Sequence, residues 1–557
     1  MKKGLIFIAM LAGVLICGYS QTDYRVHNTS SWIEAINGIR SGENDHAYTI
    51  TVTGNISVPA SQANTFGPAT GITVTITGGG TLSTSSNGIL LVIGNDQTII
   101  ARDLTLKGHN ANDVPVVLIV IEGTFRMEGK ASVSGNKSKG NRGGGGVFVA
   151  GGTFAMQDRA SVSGNTAYEG GGVYIADGTF TMQDSASVSG NVASGGDWKS
   201  CGGGVYVAGG TFTMQGGTIS GNSTSDGGGV YVNGGTFTMQ GGAISSNTAY
   251  DGGGVFVSDG TFTMHDGIIS GNTASRGGGG VNFDGGIFTM QGGSIAGNKA
   301  ADYGGGVYGS SGMMGRTGKF FMKDGTIAGN TASEGGGVYN KGAFTLEDGT
   351  ISSNTSSIKG GGVYTDGGSF TMQGGTISGN KAITSGGGVF VSERGGFIKT
   401  GGTFYGYDAE QSLRNSVVSR LGHAVYKDGE KNWRNASAGP AMNSDSYGFW
   451  MNDGDNLGDA VVTFPSDFAG RRQRSNFKNK LTVTENTMKS SSSNSLWILQ
   501  SFSGDSYTLK RSDAANTMRL IIKLGKYSGS YFGGNSYSLV ISGDSGSGEN
   551  NWNGTWQ

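Results

Sequence analysis

Residues 202–222 read GGGVYVAGGTFTMQGGTISGN, and variants of this stretch recur along the whole middle of the chain. The valine after the glycine run falls at Val147, Val173, Val205, Val230, Val255, Val281, Val307, Val338, Val363 and Val389, at intervals of 26, 32, 25, 25, 26, 26, 31, 25 and 26 residues. This is a repeat of about 25 residues with two insertions. The phenylalanine of a second run follows at Phe154, Phe180, Phe212, Phe237, Phe262, Phe288, Phe320, Phe344, Phe370 and Phe397. An asparagine closes each unit at Asn165, Asn191, Asn222, Asn247 and onward.

Each unit therefore holds three short apolar runs separated by glycines. Runs this short cannot make a helix, and valine, tyrosine, phenylalanine and threonine favour pleated strands. In Thr211-Phe212-Thr213-Met214 alternation turns Phe212 and Met214 to one face and the threonines to the other. One coil buries Val205, Val207, Phe212, Met214 and Ile219, each contributing about 1.5 to 3 kcal/mol. Ordering its backbone costs on the order of 25 to 50 kcal/mol. A coil alone cannot fold, whereas stacked coils share ladders and a core, so the repeat predicts an all-β solenoid: a parallel β-helix with three strands per coil. No unit has the 3.6-residue period or the composition of a helical solenoid.

The residues Gly203-Gly204-Val205-Tyr206 and Ile219-Ser220-Gly221-Asn222 resemble the GGA(I/L/V) and FxxN repeats of the bacterial polymorphic outer membrane proteins. The resemblance spans about residues 45–407. It implies a right-handed β-helix of pectin-lyase-like fold and an adhesin-like role at the cell surface. Members of that family end in a translocating barrel. The roughly 100-residue module at the C-terminus here has no room for one, so self-transport is not expected.

From the start, Lys2 and Lys3, an apolar stretch from Leu5 to Ile16, and Gly18-Tyr19-Ser20 read as a secretory signal peptide, residues 1–20, cut after Ser20. A lipid anchor at Cys17 is the lesser alternative, because Ile16 is not the small residue that precedes a lipobox cysteine. No other stretch approaches the ~20 apolar residues of a membrane span. Composition agrees with export: 108 glycines, 14% charged residues and a net charge of -1 supply no basic field for nucleic acid. Once Cys17 leaves with the leader, Cys201 stands alone and no intramolecular disulfide is expected.

Residues 21–44 form a capping segment. Within it 28–42 is the best short helix, with Ser31 and Glu34 as a capping box and Trp32, Ile36 and Ile39 on one face, suited to plug the open end of a solenoid. The β-helix is expected over 45–440, with irregular first coils at 48–58, 72–82, 88–93 and 97–106 and regular repeats over 143–403. Insertions at 194–200 and 309–318 project as loops. A linker follows at 441–459, and 460–557 reads as a small antiparallel barrel or sandwich. In that last module Asp467-Phe468-Ala469-Gly470 and Asn553-Gly554-Thr555-Trp556 resemble elements of lipocalin-like domains, although Arg472 stands where their first tryptophan would be.

An enzymatic β-helix, such as a polysaccharide lyase or hydrolase, needs carboxylates from neighbouring coils. Asp158 and Asp184 form one such pair and Asp324 and Asp348 another, while Glu169, Asp226, Asp251 and Arg276 lie before the glycine runs. Gly216, Gly241 and Gly292 take the same turn position as the paired aspartates, which marks these acids as interchangeable, solvated turn formers. The histidines (His27, His46, His109, His265, His423) lack metal-ligand spacing. No catalytic, cofactor or metal site is expected.

Two surface ladders remain. Thr-x-Thr pairs such as Thr179/Thr181, Thr211/Thr213, Thr236/Thr238 and Thr261/Thr263 resemble the grid of ice-binding solenoids, interrupted by Ile287, Lys319 and Ala343. Tyr174, Tyr206, Tyr231, Phe256, Tyr308, Tyr339 and Tyr364 form an aromatic ladder outside the core if Val205 and Val207 point inward, with the reverse orientation also open. With Trp198 on the first insertion, these rings are the candidate binding surface. The expected partner is a protein or glycan of a host or neighbouring cell.

Overall fold

The computed structural model describes residues 21–438, apart from positions 62, 95, 139–142, 196–199, 311, 313–316, 408, 420–421, 429–431 and 435–436, together with strand segments between 481 and 556. The chain divides into two compact units, residues 1–248 and 249–557.

In the first unit the repeats form the expected parallel sheets. The phenylalanine sheet runs from Gln21–Val26 to Thr236–Met239. Its register stacks Phe125, Phe154, Phe180, Phe212 and Phe237 on one another, with Met127, Met156, Met182, Met214 and Met239 two residues on. All ten side chains are fully buried. The rings of Phe154, Phe180 and Phe212 lie 4.7 Å apart and nearly parallel, which is the coil-to-coil spacing that a β-ladder imposes. A second sheet, ending in Thr218–Ser220 and Ala243–Ser245, buries Ile219 and Ile244. A third, with Val205–Val207 and Val230–Val232, buries both valines of each strand. The 32-residue step from Val173 to Val205 leaves their pairing intact, so the first insertion adds a loop without shifting the ladder.

The second unit repeats this arrangement from Val255–Val257, Thr261–Met264 and Ile268–Ser270 onward, with the phenylalanine column continuing from Phe262 to Phe397. Val307 pairs with Val338 across the second insertion. The last strand of its valine sheet, Asn432–Arg434, runs antiparallel to Val425–Lys427.

Three glycines precede each valine for two different reasons. Gly202 has φ +67°, a left-handed conformation. A Cβ on Gly203 would lie 2.5 Å from the carbonyl oxygen of Gly228, and one on Gly204 would lie 2.6 Å from that of Gly229. Here the backbones of successive coils cross too closely for a side chain.

The asparagine closing each coil is buried. In the first unit Asn191 Oδ1 accepts from both the backbone N–H and the Nδ2 of Asn165 at 2.9 Å, while Asn191 passes its own N–H and Nδ2 to Asn222. Its Nδ2 also donates to the carbonyl of Val162 at 3.0 Å. In the second unit the ladder runs through Asn272, Asn298, Asn330, Asn354, Asn380 and Asn415. A buried amide is tolerable only with its donors and acceptor all engaged, and the neighbouring coil supplies the partners.

Several expectations need correction. Each coil was expected to hold three strands, but many coils add a short fourth one: Thr166–Ala167 pairs with Val192–Ala193 in the first unit, and Thr273–Gly277, Lys299–Ala300 and Thr331–Glu334 follow one another in the second. Their alanines Ala274, Ala300 and Ala332 pack as a satellite cluster. The helix spans Thr29–Arg40 and its cap is Asn28 rather than Ser31: Asn28 Oδ1 accepts from Ser31 N at 2.9 Å and Ser31 Oγ accepts from Asn28 N at 3.1 Å. The helix starts too early for Ser31 to cap it, so Glu34 takes no part in the box. Trp32, Ile36 and Ile39 are buried as expected, against Gln21–Val26 and Ile56–Val58. Strand Gln21–Val26 itself was not foreseen; it pairs with Ala47–Val52 and brings the capping segment into the first coil.

Strands Leu481–Thr484, Thr487–Ser490, Leu496–Ser503, Ser506–Arg511, Thr517–Gly525, Ser536–Asp544 and Asn551–Trp556 pair in sequence, each antiparallel to the next. The expected signal peptide with Cys17, the linker at 441–459, Asp467–Gly470 and Arg472 lie outside the described residues.

Candidate binding surface: the aromatic spine and its rim

Because both valines of each valine strand point into the core, the residue between them faces away from it, and successive coils bring these residues into one column. In the first unit Phe148, Tyr174, Tyr206 and Tyr231 stack with centroids 4.8 to 5.1 Å apart and interplanar angles of 6 to 12°. The glycine segment of a neighbouring coil covers them: a Cβ on Gly143 would sit 2.0 Å from Tyr174 Cδ2. Tyr206 is buried, Tyr174 and Tyr231 are half-buried, and Asn233 Nδ2 donates to the Tyr206 hydroxyl at 3.2 Å. Burial raises the hydroxyl pKa of Tyr174 and Tyr206 above the usual tyrosine value, and burial alone raises Glu169.

In the second unit the column holds Phe256, Asn282, Tyr308, Tyr339, Tyr364, Phe390 and Tyr426. Tyr308, Tyr339, Tyr364 and Phe390 form a buried cluster with Tyr303 packed against it. The rings of this cluster are crossed rather than stacked: Tyr308 and Tyr339 meet at 67°, Tyr339 and Tyr364 at 67°, Tyr364 and Phe390 at 85°, whereas Phe390 and Tyr426 stack at 13°. The phenol of Tyr339 donates to Asp366 Oδ2 at 2.8 Å, and Lys341 Nζ approaches the same oxygen at 3.5 Å. Lys341 also lies 5.6 Å from the Tyr339 ring, and Lys359 lies 4.6 Å from that of Phe390 and 3.8 Å from Asp428. Burial pushes the Tyr308 hydroxyl up to about 12 and raises Tyr364; at Tyr339 burial and the Asp366 carboxylate act in the same direction. Burial also raises Glu334, with Lys359 and Lys341 opposing it.

The seven rings are therefore not an open platform. Tyr206, Phe256, Tyr308, Tyr339 and Tyr364 are buried, and Tyr174 and Tyr231 half-buried, so the expectation of an exposed ladder is corrected; Trp198 lies outside the described residues. What reaches the surface in the second unit is the rim of Lys341, Asp366, Lys359 and Asp428, each about a third to a half exposed. The sequence reading did not single these residues out. Their signal was a fixed offset: Glu334 and Lys359 stand four before the valine, and Lys341, Asp366 and Asp428 three after it.

The turn carboxylates bind backbone. Asp158 Oδ2 accepts from Gly129 N at 2.8 Å and Asp184 Oδ2 from Asp158 N at 3.1 Å, both from a residue with positive φ. Asp324 and Asp348 cap the amides of Gly325 and Gly349 at 2.6 and 2.7 Å. Asp226 and Asp251 are not solvated as expected but buried, and Asp251 is held by Arg276, whose Nε donates to its Oδ1 at 2.8 Å. Among the described residues no group of His, Cys, Asp and Glu is placed to hold a metal ion.

The threonine column is longer than the repeats alone suggested: Thr73, Thr98, Thr124, Thr153, Thr179, Thr211 and Thr236 pair in an unbroken series in the first unit. The column beside it holds Ile100, Arg126 and Ala155 before Thr181, Thr213 and Thr238, so the paired grid is short.

This fold and these ladders define a parallel β-helix repeat protein of about 14 turns. No protein-family model, curated protein or solved structure matches the chain.

Proposed function

We propose that the protein is an exported, cell-surface β-helix of adhesin-like type, a non-catalytic rod that presents a binding surface to a protein or glycan of a host or neighbouring cell. The observation that carries this reading is the use of the turn acids: Asp158, Asp184, Asp324 and Asp348 hold backbone amides, which leaves these carboxylates committed to turns rather than to the acid and base of a lyase or hydrolase. The leader, the low charge and the resemblance of the GGVY and ISGN elements to polymorphic outer membrane proteins support export and display. The rim of Lys341, Asp366, Lys359 and Asp428 offers charge-assisted hydrogen bonds above a rigid floor of crossed rings.

Protease shaving of intact producing cells tests the location: surface peptides from residues 143–403 are expected, and their absence while lysed cells yield them rejects display. Binding of the purified protein to glycan and matrix-protein arrays, and its loss by about tenfold in the Lys341→Ala, Lys359→Ala double variant, tests the rim. Release of unsaturated or reducing ends from polygalacturonate with calcium would instead establish an enzyme.

A further inference from the structure

Strand Gln21–Val26 opens the described residues, and the leader read from the sequence covers residues 1–20. All six of its residues pair with Ala47–Val52, from Gln21 opposite Ala47 to Val26 opposite Val52. Val26 is fully buried, and the Tyr24 hydroxyl lies so close to the helix that a Cβ on Gly38 would be 2.3 Å from it. Residue 21 is thus itself part of the first coil's ladder.

Gly18 and Ser20 supply the small residues that a signal peptidase needs, and cleavage after Ser20 makes Gln21 the N-terminal residue. A glutamine in that position carries its own nucleophile and its own leaving group. We propose that the exported chain is closed at residue 21 as a pyroglutamyl lactam, a modification that rests on the export reading above. The α-nitrogen forms a bond to Cδ of its own side chain, the bond from Cδ to Nε2 breaks, and the proton lost by the α-amine departs with Nε2 as ammonia. Nothing is oxidised or reduced. An α-amino group titrates at about 7.7 to 8.0, so the neutral nucleophile is well populated near neutrality.

The site accommodates this change. Gln21 is exposed and stands at the outer strand of its sheet, where its Nε2 donates to Asp23 Oδ1 at 2.9 Å and to Thr49 Oγ1 at 2.5 Å. Ring closure gives up these two contacts at the surface, where water replaces them, and keeps the carbonyl of residue 21 and the register from Thr22 onward. It also removes an ammonium from the edge and leaves an aminopeptidase no free amine at which to begin trimming the strand.

The test is tandem mass spectrometry of the tryptic peptide Gln21–Arg25 from full-length protein produced with its leader in an exporting bacterium. The expected peptide starts at residue 21, is lighter than the open form by one ammonia, and yields to an aminopeptidase only after pyroglutamyl peptidase. A control protein made without the leader, with Gln21 newly exposed from a tag and carried through the same digestion, reports closure during handling. A dominant open glutamine, or equal closure in the control, overturns the lactam and leaves export standing. A peptide that starts elsewhere overturns both, and Gln21→Ala, cut at the same bond and readable by Edman degradation, separates the cleavage site from the ring chemistry.

Discussion

The aromatic column of residues 1–248 and that of residues 249–557 occupy the same place in the repeat and behave differently. In the first unit Phe148, Tyr174, Tyr206 and Tyr231 stack face to face within 12° of parallel; in the second Tyr308, Tyr339, Tyr364 and Phe390 cross at 67° or more, and stacking returns at 13° between Phe390 and Tyr426. The repeat fixes where each ring is attached, since the coil spacing is common to both. The flanking columns fix how the ring lies. Three residues after the valine the first unit has Ala150, Ala176, Ala208 and the neutral Asn233, whereas the crossed coils of the second include Lys341, which lies over the Tyr339 ring, and Asp366, which accepts from the Tyr339 hydroxyl. Four residues before the valine, Tyr303 wedges between neighbours at 5.7 Å from Tyr308 and 4.7 Å from Tyr339. A solenoid can thus keep one core and still vary its surface, coil by coil.

The two units share the phenylalanine core, so Phe212→Ala and Phe344→Ala should each cost about 3 to 5 kcal/mol and differ little from one another in urea denaturation. A large asymmetry would mean that the cores are not equivalent. The asparagine ladder is also common to both. Asn191→Ala strands the N–H and Nδ2 of Asn165 and the carbonyl of Val162, and Asn330→Ala strands the same groups of Asn298 and Ile295, so each should cost about 3 kcal/mol.

The spines should separate the units. Tyr339→Phe loses the hydrogen bond to Asp366 and should cost about 1 kcal/mol, whereas Tyr206→Phe, whose hydroxyl only accepts from Asn233, should cost less. Equal losses would refute the idea that the rim orients the crossed rings. The smallest effects concern Glu169 and Glu334. Burial raises both, so each glutamate contributes most below the ordinary carboxyl pKa, and that contribution is lost as pH rises through the raised folded value. Glu169→Gln should therefore raise the melting temperature at neutral pH and lose that advantage in acid. Glu334→Gln should do the same, and because Lys359 and Lys341 oppose the burial of Glu334 while Asp366 and Asp302 reinforce it, its advantage should depend on salt where that of Glu169→Gln does not. Identical salt dependence in the two variants would remove these charges from the account.

The valine, phenylalanine and asparagine positions were legible in the sequence because each is a large or amide side chain at one offset between glycines, and Phe212, Val205 and Asn222 stand where the period put them. The fourth strand was not. Its repeated element is Asn-Thr-Ala or Asn-Lys-Ala, as at 272–274 and 298–300, where after the ladder asparagine a single small alanine is buried and two-residue pairing leaves no alternation to read. The orientation of Val205 and Val207 was left open, and the structure resolves it inward. The burial of the tyrosines outside those valines depends on glycines of another coil, such as Gly143 against Tyr174, and no local pattern shows that contact. The rim escaped because Lys341, Asp366 and Lys359 read singly as ordinary polar loop residues and become a group only when coils are superposed.

Asn432–Arg434 reverses direction against Val425–Lys427, with Trp433 opposite Tyr426. Identical coils are a template on which further chains can keep adding in the same sense, as a fibre grows from its tip. A strand laid backwards offers the newcomer the wrong polarity, so this short reversal acts as a stop that keeps a self-complementary repeat from polymerising at that sheet.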